Sequence, residues 1–213
     1  MRKFSSYLIV ILTLATSENL SANEFRFSYL YRGMLIGGAS PDSEFLQKNA
    51  RKCQDFDISY LFGEDRGLIF GITTSVASEK YRQDVTSARP YETFQSDYRY
   101  IVARAGYWRK IQTTNMLFEV TGGFGAGTLT FKSSEDGSTG ETNVSDVRTI
   151  EIAGRLIQQF AFEERGFSLD LIGGLGISPR FQPDFTYKGI AYDENDFGRK
   201  AGIDFQLGLG LSF

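Results

Sequence analysis

Histidine is absent from all 213 residues, cysteine and tryptophan occur once each, and proline occurs four times. Without an imidazole the chain lacks the usual general base and proton carrier, so mechanisms that rest on histidine are excluded. A Ser-Lys or carboxylate-only site stays chemically open, but no motif for either is present. The expectation is a protein that is not an enzyme and holds no cofactor or metal. The single thiol, Cys53, cannot close an internal disulfide, so stability must come from something other than a disulfide framework. Beyond the N-terminal segment no stretch approaches the roughly 18 uninterrupted apolar residues of a spanning helix, which excludes helical membrane spans.

What is present begins at the N-terminus. Met1-Arg2-Lys3 is basic, Tyr7 to Ala15 is almost wholly apolar, and small and polar residues lead to Ser21-Ala22-Asn23. This is the pattern of a secretory signal peptide, and its apolar run is much shorter than the roughly 20 residues a spanning helix needs. Residues 1–22 are expected to be removed, leaving 23–213 as one domain. Cleavage after Ser17 is the alternative, because Leu20 is bulky for its place before the later cut. Removing 1–22 takes away Arg2, Lys3 and Glu18, leaving 21 basic against 25 acidic residues, and nothing points to nucleic acid as a partner. About 190 residues without a Pro/Ser linker or charge block suit one domain.

Apolar and polar residues alternate through nearly all of that domain, the signature of strands with two unlike faces. Eight runs stand out: Phe25 to Tyr31, Phe56 to Phe62, Leu68 to Val76, about 92 to 108, Met116 to Phe124, Ile150 to Phe162, Phe167 to Ile177, and Ile203 to Phe213. The fourth is irregular, because Tyr98 and Tyr100 share a face with Val102 and also with Arg104; a β-bulge near Ile101 would resolve it. The connections alternate between long (about 38–53, 78–91, 132–146, 179–198) and short (63–67, about 110–115, 163–166). That alternation predicts an all-β fold, a transmembrane up-and-down antiparallel β-barrel of eight strands, with tight periplasmic turns and longer external loops.

A soluble sandwich or lipocalin-like barrel has the same periodicity. Three features favour lipid. Charges sit mid-strand on the face opposite the apolar one; glycines crowd that same face (Gly123, Gly125, Gly174, Gly176, Gly208, Gly210), as a narrow interior requires; and aromatics gather at strand ends, as with Tyr107-Trp108, Phe62, Phe160 and Phe162. The glycine clusters 122–127 and 173–176 lie within alternating strands and not before a helix, so they are packing positions and not phosphate loops.

The final segment, Gly202 to Phe213, ends in phenylalanine with apolar residues at every second position before it. It resembles the terminal strand of outer-membrane proteins. That resemblance implies that Leu211 and Phe213 form the signal recognised by the barrel-assembly machinery. With the loop pattern, the domain resembles the small eight-stranded Gram-negative group of the OmpX, Opa, OmpW and OmpA-membrane-domain types. It implies an outer-membrane location, with lipid and lipopolysaccharide as surroundings and no peptidoglycan-binding domain after the last strand. The small barrel enzymes of that membrane, lipid A acyltransferases and deacylases, phospholipases and omptin-type proteases, all depend on the histidine this sequence lacks.

The strand parity places Arg26, Arg32, Asp57, Asp97, Arg99, Glu119, Glu151, Arg155, Asp170 and Asp204 in the interior, where charges of both signs predict salt bridges that close the lumen. Exchange of partners along a narrow ion path is the sharper alternative. Any specificity belongs to the loops. The stretch 132–146 is a polar, solvated loop. The stretch 179–198 mixes Phe181, Phe185, Tyr187, Ile190, Tyr192 and Phe197 with Asp193, Glu194 and Asp196. It is expected to extend the barrel sheet as a hairpin or to form a contact patch for an unknown surface ligand; inserted into the wall, it would make ten strands. The leading expectation is a non-enzymatic barrel with a structural or adhesion-like role, and the alternative is a narrow porin-like channel for small or apolar solutes.

Overall fold

The computed structural model describes residues 23–36, 48–83, 92–111, 114–133, 141–162, 166–187, 189–192 and 203–213. The expected signal peptide, residues 1–22, lies outside them. Eight long strands form the wall: β1 (Glu24–Ile36), β2 (Lys48–Leu61), β3 (Arg66–Gln83), β4 (Glu92–Ile111), β5 (Met116–Ser133), β6 (Glu141–Phe162), β7 (Phe167–Ile177) and, after three short strands, β11 (Ile203–Ser212). Each pairs antiparallel with its neighbours in the order β5-β4-β3-β2-β1-β11-β7-β6, and pairing of β5 with β6 closes the ring. Closure gives the ladder hydrogen bonds partners all the way round, the condition for a sheet to cross a membrane. The N-terminal and C-terminal strands meet in this ring, with Phe25 and Phe213 exchanging backbone hydrogen bonds of 3.0 and 2.9 Å.

The alternation of connections stands. Short turns join β2 to β3, β4 to β5 and β6 to β7; the long ones lie at the other end. Gly63 (φ 103°) and Gly166 (φ 67°) supply the left-handed backbone of two tight turns.

Outward positions carry the apolar set. On β3 these are Leu68, Phe70, Ile72 and Val76, and on β11 Leu207, Leu209 and Leu211, followed by Phe213 just past its end, all exposed. Leu68 to Val76 covers eight rises of about 3.3 Å, and Ile150 to Phe162 on β6 covers twelve. At a strand tilt of about 40° these heights are about 20 and 30 Å, bracketing the roughly 25 Å apolar band of a membrane barrel. At the short-turn end the rings touch in a continuous chain from Phe162 through Phe167, Phe213, Phe27, Phe25, Tyr60 and Phe62 to Phe70, with neighbouring centroids 4.5–6.3 Å apart. This is an interfacial girdle. Trp108 is not part of it, contrary to the sequence expectation. It points inward beside Leu61 and Ile69, and its indole N–H donates to the Phe62 carbonyl at 3.0 Å, because its even parity on β4 puts it opposite the exposed Tyr107.

The expected bulge in the fourth strand is also corrected. The pairing of β4 runs without a register shift against both neighbours. Register shifts occur instead in three other pairs: β1 with β11 after Met34, β2 with β3 after Lys48, and β5 with β6, where Thr128 faces the two residues Ser145 and Asp146, and Asp146 takes a left-handed φ of 63° that aspartate tolerates better than most residues. The extra residue brings both Val144 and Val147 inward.

Candidate functional site: a charged lumen beneath an aromatic mouth

Eight of the interior charges expected from strand parity point inward and are buried: Arg26, Arg32, Asp57, Glu119, Glu151, Arg155, Asp170 and Asp204. Asp97 and Arg99 do not join them. Both lie on the outer face of β4, where Arg99 is exposed and Asp97 accepts from Ser78 at 2.7 Å and meets Lys132 at 3.9 Å. The reason is that β4 has no bulge, so Tyr98, Tyr100, Val102 and Arg104 share the inner face, aromatic above and cationic below. Sequence reasoning left out Asp55, Arg104 and Gln206; Arg104 was signalled by its shared parity with Tyr98 and Tyr100.

The charges form two connected groups. Arg32 approaches Asp55 with two nitrogens, at 2.6 and 3.0 Å, and Glu151 with a third at 2.9 Å. Glu151 lies 3.6 Å from Arg155, which meets Asp57 at 3.3 Å and donates from Nε to Gln206 at 2.7 Å. Asp57 is the hub. It is also bonded by Arg104 and accepts from Ser59 at 3.0 Å and Thr73 at 3.1 Å. The second group is Arg26 with Glu119, Asp170 at 2.9 Å and Glu24 at 3.2 Å. β2 and β6 stand four places apart in the ring, as do β1 and β5, so the pairs Asp57–Arg155 and Arg26–Glu119 reach straight across the lumen. Among the described residues every buried cation is an arginine, four against six carboxylates. The guanidinium fork explains the choice, since one side chain bridges several acceptors.

The small residues make room for this network. A Cβ placed on Gly123 would lie 2.9 Å from Arg104 Cγ, from the Ala103 carbonyl oxygen and from Val102; one on Gly174 would lie 3.0 Å from Arg155 Cγ and 2.6 Å from the Gly154 carbonyl oxygen. Substituting Gly123 by alanine is expected to displace Arg104 and cost about 1–3 kcal/mol, read as a lower denaturant midpoint for the barrel in lipid vesicles. An unchanged midpoint would show that Arg104 relocates freely.

Apolar layers flank the charges. Leu30, Leu61, Ile69, Trp108, Leu117, Ile157 and Ile172 form one interior cluster. Towards the long-loop end Cys53, Ala77, Phe94, Tyr98, Tyr100, Val102, Leu129, Phe131, Val144 and Val147 form another, completed by Phe185 and Tyr187. Those two belong to a strap that leaves β7 and crosses the mouth. Its strand β8 (Arg180–Phe181) pairs with Thr149 and Arg148 of β6, while β9 (Phe185–Tyr187) and β10 (Ile190–Tyr192) form a separate two-stranded hairpin. The expected hairpin therefore exists, but it does not extend the barrel sheet or insert into the ring, which keeps eight strands. Of the expected loop contacts, Phe181 is exposed while Phe185 and Tyr187 are buried against Phe131, with centroids 5.3 and 5.1 Å away. Tyr192 pairs with Phe185 through the backbone. Asp193, Glu194 and Asp196 lie outside the described residues. Leu211 and Phe213 face outward at the end of the wall. Among the described residues no group of acidic and cysteine side chains is arranged to hold a metal ion.

No protein-family model and no curated protein matches the sequence. Solved structures similar to it include Neisserial surface protein A, at 11% identity over 90% of this chain and 96% of that one with a TM-score of 0.48. The N-terminal β-barrel domain of Pseudomonas aeruginosa OprF shows 11% identity over 90% and 98%, TM-score 0.42. Ail, the attachment invasion locus protein of Yersinia pestis, shows 16% over 90% and 97%, TM-score 0.44. On its own geometry, a closed ring of eight antiparallel strands with an apolar outer band, an aromatic girdle and buried charges within, the chain is a transmembrane β-barrel of the outer-membrane kind.

Proposed function

We propose that this chain is a non-enzymatic barrel of a Gram-negative outer membrane, exported by cleavage of residues 1–22, and that its role is structural or surface-interacting through the long loops. The observation that carries the reading is the closure of the lumen. Ion pairs reach across its full width at Asp57–Arg155 and Arg26–Glu119, with buried apolar clusters towards either end. An eight-stranded barrel is just wide enough for side chains to fill it, and these side chains do so. An apolar solute entering the mouth would meet charged pairs beneath it, and breaking them to let it through is costly. That argues against a channel for apolar solutes. In this reading the short turns, which share one end of the barrel with both termini, face the periplasm, and the long loops face outside, where lipopolysaccharide and other surfaces lie. Leu211 and Phe213 then serve as the assembly signal of the last strand.

The test is single-channel recording on the full protein in planar bilayers, coupled to protease treatment of intact cells that express it. The expected result is no current above the lipid baseline and cleavage confined to the long connections. Steady unitary currents would replace the sealed reading by a channel, and cleavage at the short turns would invert the orientation.

A further inference from the structure

Two arginines on the outer wall take no part in the networks described above. Arg99 of β4 and Arg148 of β6 are exposed, and among the described residues neither side chain has a hydrogen-bond or ion-pair partner. The charges beyond them are satisfied by one another. Lys132 lies 3.9 Å from Asp97 and 3.5 Å from Glu141, and Asp97 also accepts from Ser78 at 2.7 Å and from Gln95 at 2.8 Å. Asp146, the nearby carboxylate of the bulge, forms an ion pair with neither arginine. The register puts short side chains between the two cations: Arg99 stands opposite Thr128, and Arg148 opposite Ala126, on the same outward face of β5. Neighbouring strands lie about 4.8 Å apart, so Arg99 and Arg148 are separated by about 10 Å across the ladder, and two side chains of this length can close on one small anion above Thr128 and Ala126.

Both arginines mark one edge of the apolar band. On β4 the outward residues after Arg99 are Ile101, Ala103, Ala105 and Tyr107, and the next is Arg109. Ten rises of about 3.3 Å at a tilt of about 40° set Arg99 and Arg109 about 25 Å apart in height, the thickness of the apolar band of a membrane barrel. On β6 Arg148 is followed outward by Ile150 and Ile152, both exposed. Arg99 and Arg148 therefore stand where lipid head groups begin, at the end of the long connections.

We propose that this edge of the wall is a phosphate site for a phosphorylated glycolipid of the outer leaflet, the lipid A part of lipopolysaccharide. The two guanidiniums grip the phosphate, the Thr128 hydroxyl donates to it, and the acyl chains lie against the exposed Ile101, Phe124 and Ile150 beneath. A guanidinium fork matches phosphate oxygens, and cations without a partner at a lipid surface are drawn to anionic head groups. Phe181, exposed and opposite Arg148 on β8, adds a ring at the same level, where aromatic side chains anchor a barrel in the interface. The site rests on the reading that the long connections face outside, because that orientation decides which leaflet the two arginines meet. It requires no passage through the lumen.

The test is native mass spectrometry of the full protein in a maltoside detergent, titrated with phosphorylated lipid A, with dephosphorylated lipid A and phosphatidylglycerol as comparisons and heat-modifiable gel mobility as the check of folding. Arg99→Gln/Arg148→Gln is expected to weaken binding of phosphorylated lipid A about tenfold, since two charge-assisted contacts are lost. Removing the phosphates from the lipid is expected to weaken its binding to the parent by as much and to leave its binding to the double variant unchanged. Arg109→Gln, at the opposite edge of the band, is expected to bind like the parent. If the folded double variant binds phosphorylated lipid A as tightly as the parent, or if phosphatidylglycerol binds the parent as tightly as lipid A does, the proposal is overturned. Protease cleavage at the short turns of intact cells would overturn the orientation, and the leaflet with it, even where binding in detergent persists, so the two failures are distinguishable.

Discussion

Replacing Asp57 by alanine is expected to cost about 3–5 kcal/mol, the largest loss of any single charge in the lumen. Asp57 is shared by Arg104 and Arg155 and also accepts from Ser59 and Thr73, so its removal leaves two buried guanidiniums without their common partner. The measurement is the denaturant midpoint of the full protein refolded into lipid vesicles. Asp57→Asn should lose less, because it keeps an acceptor for the two hydroxyls while giving up the charge. Asp97→Ala makes the contrast. Its carboxylate faces outward and meets the half-exposed Lys132, so its removal should cost under about 1 kcal/mol. Equal effects at the two positions would mean that the buried network adds no more than a surface pair.

An arginine in place of Leu209 is expected to cost about 2–4 kcal/mol in the same assay, because Leu209 lies in the middle of the outward apolar set of β11, between Phe205 and Phe213. In a soluble barrel the same exposed position would accept arginine at almost no cost. The experiment therefore separates a lipid-facing wall from a water-facing one. Thr128→Arg, exposed where β5 rises beyond the apolar band beside Arg99, should stay within about 1 kcal/mol. A Leu209→Arg barrel as stable as the parent would end the membrane reading.

The lumen also bears on how much freedom the sequence has to change. The four buried arginines draw carboxylate partners from five of the eight wall strands, so the loss of Asp57, Glu119, Glu151 or Asp170 strands a charge contributed by a distant part of the chain. The apolar clusters towards either end are more forgiving, since an aliphatic exchange there alters packing without leaving a charge behind.

Much of this architecture is legible without coordinates. Period-2 alternation from Phe25 to Phe213 and the regular succession of short and long connections determine eight antiparallel strands, because the side-chain period of a strand is fixed by the pleat and the loop pattern by the geometry of an up-and-down wall. The inward direction of Arg26, Glu119, Glu151 and Arg155 follows from the same parity. Three things were decided only by tertiary structure. The first is where the ladder slips: Tyr98 and Tyr100 look like a slip beside Arg104, yet they face inward because the lumen changes from charged to aromatic along its length, while a bulge at Asp146 lies in a segment with no strong alternation to disturb. The second is pairing across the lumen. Parity gives a face but not a height, and whether Asp57 reaches Arg155 depends on the stagger of strands on opposite sides of the ring. The third is the strap, whose aromatics turn into the mouth to bury Phe185 and Tyr187 against Phe131, a choice set by the apolar cluster at that end of the lumen and not by any local signal in residues 178–187.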